Sequence, residues 1–303
     1  MEICALYFRL NDMKSFYYIT LSDLMLDIRK NLSKIPHDID AVIGVPRSGM
    51  IVASVISELI NVPLTDLDSF VKNQTFSGGH RLELFNQNKT GKVLVCDDTT
   101  YSSRAITEAK NKLRGFNYEF IYCVAYLEGF HPEAVDIWLR DVSYYSKQDI
   151  QVIYEWCIFN HYPHIMSRCI YDIDGVLCIE EGRPDDSNEA AYEDYIRNAK
   201  PLFVPKVPIG AIVTYRITKY KEVTEEWLRK NGIKYNALLM FNADNWRERN
   251  YSGISPEQAK ADFYKKHPEF LLFIESNDRE AQMIHKLSGK QVLCTDTNIM
   301  YGN

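Results

Sequence analysis

Short, nearly uninterrupted apolar runs recur along this chain, and most are followed by a segment whose apolar residues return at helical spacing. Residues 41–45 (AVIGV) precede a helical pattern over 50–60, residues 92–96 (KVLVC) precede one over 103–113, and a third run covers 120–125. The alternation resumes further on, with strands expected over 169–173, 210–213, 237–241 and 270–274 and helices over 218–231, 255–266 and 279–288. Ser255 followed by Pro256 and Glu257 gives one of these helices a capping hydroxyl, a proline in its first turn and an early acid. A strand apolar on both faces must be covered on both faces, so the fold class is α/β, built on mainly parallel sheets with flanking helices. On such sheets ligands gather at the carboxyl ends of the strands.

At 303 residues the chain is long for one core. Two domains are expected, 1–165 and 166–303. Residues 151–167, with Trp156, His161, Tyr162, Pro163 and His164, are too aromatic for a flexible linker and read as a packed connector. The formal net charge of -6 argues against a nucleic-acid partner, since phosphate-backbone affinity needs clustered Lys and Arg. Seven scattered cysteines (Cys4, Cys96, Cys123, Cys157, Cys169, Cys178, Cys294) have no metal-ligand spacing and read as reduced thiols of a cytoplasmic protein. No run approaches the about 20 apolar residues of a transmembrane segment. A peripheral visit to the inner membrane stays compatible with that, and nothing in the sequence sets an oligomeric state.

Two of the strands close on acids. The run 93–96 ends in Asp97-Asp98, followed by Thr99, Thr100, Tyr101, Ser102, Ser103, Arg104 and Ala105. Paired carboxylates can accept hydrogen bonds from vicinal hydroxyls, and a small-residue turn leading into a helix can wrap N–H groups around a phosphate. A diol plus a phosphate describes a ribose 5-phosphate. The segment resembles the 5-phosphoribosyl-diphosphate (PRPP) motif of type I phosphoribosyltransferases. Gly44-Val45-Pro46-Arg47-Ser48-Gly49, earlier in the chain, is similar to the pyrophosphate loop of that family. The resemblance implies PRPP contacts from Arg47, Ser48, Gly49 and Asp97 through Ala105, with Asp97 and Asp98 catalytic. It also implies a mobile loop between these motifs, over residues 67–91, with Lys72, Gly78, Gly79, His80 and Arg81. Two departures stand out: Ser103 where the family has glycine, and Ala105 where it has threonine.

The second acid-closed strand, 169–173, continues as Asp172-Ile173-Asp174-Gly175-Val176-Leu177 and resembles the first motif of haloacid-dehalogenase-like (HAD) phosphatases. By that resemblance Asp172 attacks phosphorus, and Asp174 protonates the leaving oxygen and later activates water. Thr214 supplies a phosphate-binding hydroxyl, Lys260 offsets phosphoryl charge with Lys265 and Lys266 as the runners-up, and Glu275 joins Asp172 and Asp174 as a ligand of Mg2+, replacing a more usual aspartate. Mg2+ suits hard oxygen ligands and bridges to phosphate. Asp278 reads as a supporting acid or a helix cap. The interval 178–208, where this superfamily inserts a specificity cap, has room for about one helix near 189–199, which leaves the site open to an extended substrate.

Together the resemblances imply a bifunctional enzyme. A phosphoribosyltransferase leaves a 5-phosphate on its product and a fused phosphatase can remove it, with tethering holding the intermediate near the mM range. The pairing looks like the transferase and phosphatase that build ribofuranose into bacterial surface polysaccharides, with PRPP as donor and a glycan or lipid-linked glycan as acceptor. The alternatives are a nucleobase phosphoribosyltransferase with a fused nucleotidase, and a PRPP-sensing regulator with an active phosphatase domain.

Overall fold

The computed structural model describes residues 13–74, 91–101, 103–129 and 132–302. Ser102 and the expected loop residues Gly78, Gly79, His80 and Arg81 lie outside the described residues. By contact the described residues divide into two compact units, 19–156 and 157–302, the second joined by residues 13–18. The division therefore falls before the expected 165/166 boundary. The reason is local: Ile158, Ile165 and Met166 are buried in the second unit, and Phe159 stacks on Phe203 at 3.9 Å.

The first unit contains helix α1 (Leu21–Asn31), strand β1 (Ala41–Gly44), helix α2 (Gly49–Ile60), strands β2 (Leu64–Asp66) and β3 (Lys92–Thr99), helix α3 (Arg104–Leu113), and strands β4 (Glu119–Leu127) and β5 (Ile137–Asp141). The sheet order is β2-β1-β3-β4-β5 and every pairing is parallel. Ile43, Val93, Val95 and Val124 pack against Ile106, Ala109 and Leu113 of α3. The near-continuous apolar runs that suggested doubly covered strands are thus the central strands of this sheet. Central β3 carries Asp97 and Asp98 near its carboxyl end.

In the second unit, β6 (Cys169–Tyr171), α4 (Glu189–Asn198), β7 (Ile209–Ile217), α5 (Lys221–Lys230), β8 (Tyr235–Phe241), α6 (Pro256–Lys266), β9 (Leu272–Glu275), α7 (Asp278–Ser288), β10 (Gln291–Cys294) and β11 (Ile299–Tyr301) follow in order. The sheet runs β8-β7-β6-β9-β10-β11, parallel except for β11 at the edge. Ile170, Ala211, Phe273 and Val292 meet Ala261 and Tyr264 of α6 and Ala281 and Ile284 of α7. The interval 178–208 yields the single helix expected, α4, whose Tyr192 and Ile196 pack on Val223 of α5. Ser255 caps α6 as its sequence predicts, accepting from Gln258 N at 3.2 Å. At α7 the cap is Asn277, which accepts from Glu280 N at 3.1 Å. Asp278 instead accepts from the Tyr301 and Thr297 hydroxyls, at 2.5 and 3.0 Å, which corrects its reading as a cap. Among the described residues no helix is long and apolar enough to cross a membrane.

Candidate active sites

In the first unit the two expected motifs meet because a glycine allows it. Val45 N donates to Cys96 O at 2.9 Å, laying the end of β1 along β3. A Cβ on Gly49 would stand 2.6 Å from Cys96 O and 2.9 Å from the Asp97 Cα and Oδ1. Only glycine lets the first turn of α2 press against the backbone that carries the acids. Arg47 and Ser48 sit in the turn between, after a cis peptide at Pro46–Arg47. Arg47 is exposed, with no ion pair among the described residues.

Asp97 is buried, and that burial, followed by repulsion from Asp98, lifts its carboxyl to about 8. Asp98 is half-buried and accepts from the Trp156 indole, Nε1 to Oδ2 at 2.8 Å. Trp156 stacks on Tyr154, 4.9 Å between ring centres. The Tyr154 hydroxyl donates to Glu128 Oε2 at 2.9 Å, and Gln151 Nε2 donates to Glu128 Oε1 at 3.1 Å. Burial raises Glu128 to about 7. Sequence reasoning missed Trp156 and Glu128, because their partners lie far along the chain.

The turn after the acids is anchored to the end of β4. Thr100 Oγ1 donates to Glu128 O at 2.6 Å and accepts from Glu128 N at 2.9 Å. Ser103 has φ 51°, in the left-handed region where glycine is at ease, and donates its N–H to Thr100 O at 3.1 Å. This conformation gives a physical reason for the glycine usual in the resembled family; the serine adopts the same backbone at some strain. Thr99 and Tyr101 line the same turn, and Ala105 follows at the exposed start of α3. Arg104 is exposed and pairs with Glu108, Nε donating to Oε1 at 2.8 Å.

In the second unit β6, β7 and β9 bring Asp172, Thr214 and Glu275 to one edge of the sheet, and α6 delivers Lys260 to it. Lys260 Nζ donates to Asp172 Oδ2 at 2.8 Å, to Glu275 Oε2 at 2.7 Å and to Glu280 Oε2 at 2.7 Å. Lys260 is buried while Lys265 and Lys266 are exposed, so the first choice among the three lysines is the one at the carboxylates. Burial opposes the Lys260 charge, but the three acids hold its pKa well above the usual range. Burial also lifts Glu275 to about 8 and raises Asp172, in both cases against the pull of Lys260.

Asp174 is held differently. Arg216 donates from Nε to Oδ2 at 2.9 Å and from Nη2 to Oδ1 at 2.5 Å, and Arg183 Nη1 stands 3.9 Å away. Burial would push this carboxyl up, yet Arg216 brings it down to about 2. Gly175, at φ 78°, leaves no room for a Cβ against Ser276 Oγ. Thr214 is buried and its Oγ1 accepts from Arg216 N at 3.3 Å. Arg216 and Glu280 were not anticipated. Arg216 could have been, since it follows Thr214 by two along a strand and shares its face.

A magnesium ion fits the donor chemistry of this cleft. Five acidic side chains (Asp172, Asp174, Glu180, Glu275, Glu280) line it beside three basic ones (Arg183, Arg216, Lys260). Asp172, Asp174 and Glu275 offer the hard oxygens such an ion takes. Among the described residues no three acidic, histidine or cysteine side chains are already gathered as a cation site, consistent with Lys260 and Arg216 occupying these oxygens.

Residues 18–152 match the family described as phosphoribosyl transferase domain. Among solved structures, the chain is similar to a purine phosphoribosyltransferase from Pyrococcus horikoshii (16% identity, 48% of this chain and 94% of that one, TM-score 0.34). It is also similar to an orotate phosphoribosyltransferase from Aeropyrum pernix (18%, 42% and 74%, TM-score 0.31). A third is the xanthine-guanine-hypoxanthine phosphoribosyltransferase of Helicobacter pylori (14%, 48% and 94%, TM-score 0.32). No curated protein matches the chain. The first unit is a phosphoribosyltransferase domain, which supports transfer that consumes PRPP.

Proposed function

We propose that the chain transfers 5-phosphoribosyl from PRPP to a hydroxyl of a glycan or lipid-linked glycan and then hydrolyses the 5-phosphate, adding plain ribofuranose to a surface polysaccharide. The observation that carries the reading is the Lys260 ammonium joining Asp172, Glu275 and Glu280 in a chain that also contains a phosphoribosyltransferase domain. A lysine-bridged acid cluster at strand ends is the equipment of a HAD-like phosphatase, and it supports a phosphatase domain over about 166–303.

In the first step the Asp97 and Asp98 carboxylates accept from the ribose hydroxyls and the 99–105 turn holds the 5-phosphate. Diphosphate departs with its electron pair, Arg47 offsets its charge, and positive charge develops at the anomeric carbon. The acceptor hydroxyl attacks from the opposite face and loses its proton, giving a β linkage from an α donor. In the second step an Asp172 oxygen bonds to phosphorus as the ribosyl oxygen leaves with a proton from Asp174, and water, giving a proton to Asp174, then cleaves the aspartyl-phosphate. Mg2+, when bound, supplies charge neutralisation at the phosphoryl oxygens. Arg216 holds Asp174 ionised, the state that activates water, and opposes its other role as proton donor.

The test is product analysis. Glycolipid and nucleotide fractions are incubated with protein, Mg2+ and isotope-labelled PRPP, wild type beside Asp172→Asn. Labelled ribose in the glycolipid with wild type, and labelled phosphoribose with the variant, is the expected pair. Fully dephosphorylated product from Asp172→Asn would remove the phosphatase assignment, and label in nucleosides would turn the reading to base salvage.

A further inference from the structure

Arg216 is 1% exposed, yet its guanidinium is only partly used by the protein. Nε and Nη2 are committed to Asp174, and Nη2 also donates to Cys178 Sγ at 3.6 Å, whereas Nη1 is buried with no hydrogen-bond partner among the described residues. A guanidinium has five N–H donors in a fixed plane, so two of them are left unpaired here. Burying charged donors without acceptors is costly, and such a group calls for an explanation. Arg216 lines the same cleft as Thr214 and Lys260. Its own backbone N–H donates to Thr214 Oγ1, so that hydroxyl has its proton free to donate elsewhere.

We infer that Arg216 is a phosphoryl-recognition residue: its Nη1 donors and the Thr214 hydroxyl together bind oxygens of a terminal phosphate monoester, while Nε and Nη2 keep Asp174 aimed at the same group. The inference rests on the reading of this cleft as a phosphatase site and deepens it. The planar fork explains why the position needs arginine: a lysine at 216 keeps the charge but cannot serve Asp174 through two donors and an anion through a third. A phosphate diester presents one fewer free oxygen and one less charge to the same donors, so the device selects for monoesters.

The first measurement is binding of inorganic phosphate in the presence of Mg2+ by titration calorimetry, wild type against Arg216→Lys, with ribose 5-phosphate hydrolysis run alongside. Loss of a charge-assisted hydrogen bond to the anion is expected to weaken phosphate about 10- to 100-fold in Arg216→Lys and to raise KM more than it lowers kcat. Because removal of Arg216 also strips Asp174 of its partner, circular dichroism melts identify whether each variant folds. Arg216→Ala is then titrated with added guanidinium ion, which should restore phosphate binding. If wild type binds phosphate and hydrolyses ribose 5-phosphate while folded Arg216→Lys binds equally well, the Arg216 assignment is overturned and the phosphatase reading stands. If wild type does neither, both fall.

Discussion

Gly49→Ala tests whether the donor site depends on close backbone contact between α2 and β3. The added methyl would lie 2.6 Å from Cys96 O and 2.9 Å from the Asp97 Cα and Oδ1. Asp97 Oδ1 belongs to a side chain, but Cys96 O and the Asp97 Cα are backbone atoms and cannot yield by rotation. Cys96 O is fixed by its hydrogen bond from Val45 N at 2.9 Å, in a strand paired on both sides. The helix must therefore move, and overpacking of this kind costs about 1–3 kcal/mol. Alanine is the better helix former by about 1 kcal/mol, so the two effects oppose each other and the net loss is about 0–2 kcal/mol, centred near 1 kcal/mol. Function should suffer more than stability. A shift of a few tenths of an ångström displaces the Arg47 turn relative to Asp97, and both must address one donor. The expectation is a thermal midpoint about 5 °C lower for the transition that PRPP shifts, together with a rise of tenfold or more in KM for PRPP. A variant that matches wild type in both would refute the argument that the glycine sets the distance between the two motifs.

Other expectations follow from the buried charges. Lys260→Met leaves Asp172 and Glu275 buried without a counter-ion and should cost about 3–5 kcal/mol with loss of phosphatase activity. Lys265→Met and Lys266→Met, at exposed positions, should stay within about 0.5 kcal/mol by the same melts. Asp97 keeps its proton in the folded chain up to about 8, whereas the unfolded carboxyl loses it near the ordinary aspartate value of 3.8. The folded state therefore binds the extra proton between these values, and stability should fall as pH rises through that window. Asp97→Asn should flatten that slope, and an unchanged pH dependence of its melting would dismiss the burial argument. If the ionised form accepts the ribose hydroxyls, kcat/KM for PRPP in wild type should climb towards pH 8.

What the sequence made legible was whatever is local in the chain. Doubly buried strands write themselves as apolar runs, and the acids at 97–98 and at 172 and 174 appear where those runs end. Ser255 predicted its cap because capping is settled within four residues. Asn277 outcompeted Asp278 as the cap of α7 for a reason sequence does not carry: Tyr301 and Thr297, on and near the edge strand, already hold the Asp278 carboxylate. The same distinction separates Lys260 from Lys265 and Lys266. All three lie on one helix, but only Lys260 shares the buried side with Ala261 and Tyr264. Trp156 and Glu128 were invisible for the opposite reason, since each acts on a partner 28 or more residues away.

Arg216 sits between these cases and indicates how such a residue can be found. A Thr-x-Arg pair at the end of a strand has period 2, so both side chains emerge on one face, and sequence alone can state that much. Whether the arginine there is a surface residue or part of a site depends on burial. At 1% exposure, with two guanidinium nitrogens on Asp174 and a third unpaired, the side chain is too costly to be explained by the ion pair alone. Replacing a buried pair of this kind by apolar residues is often neutral or stabilising. On the phosphoryl-recognition proposal, the unsatisfied Nη1 edge of the guanidinium is completed by an anion that arrives from outside.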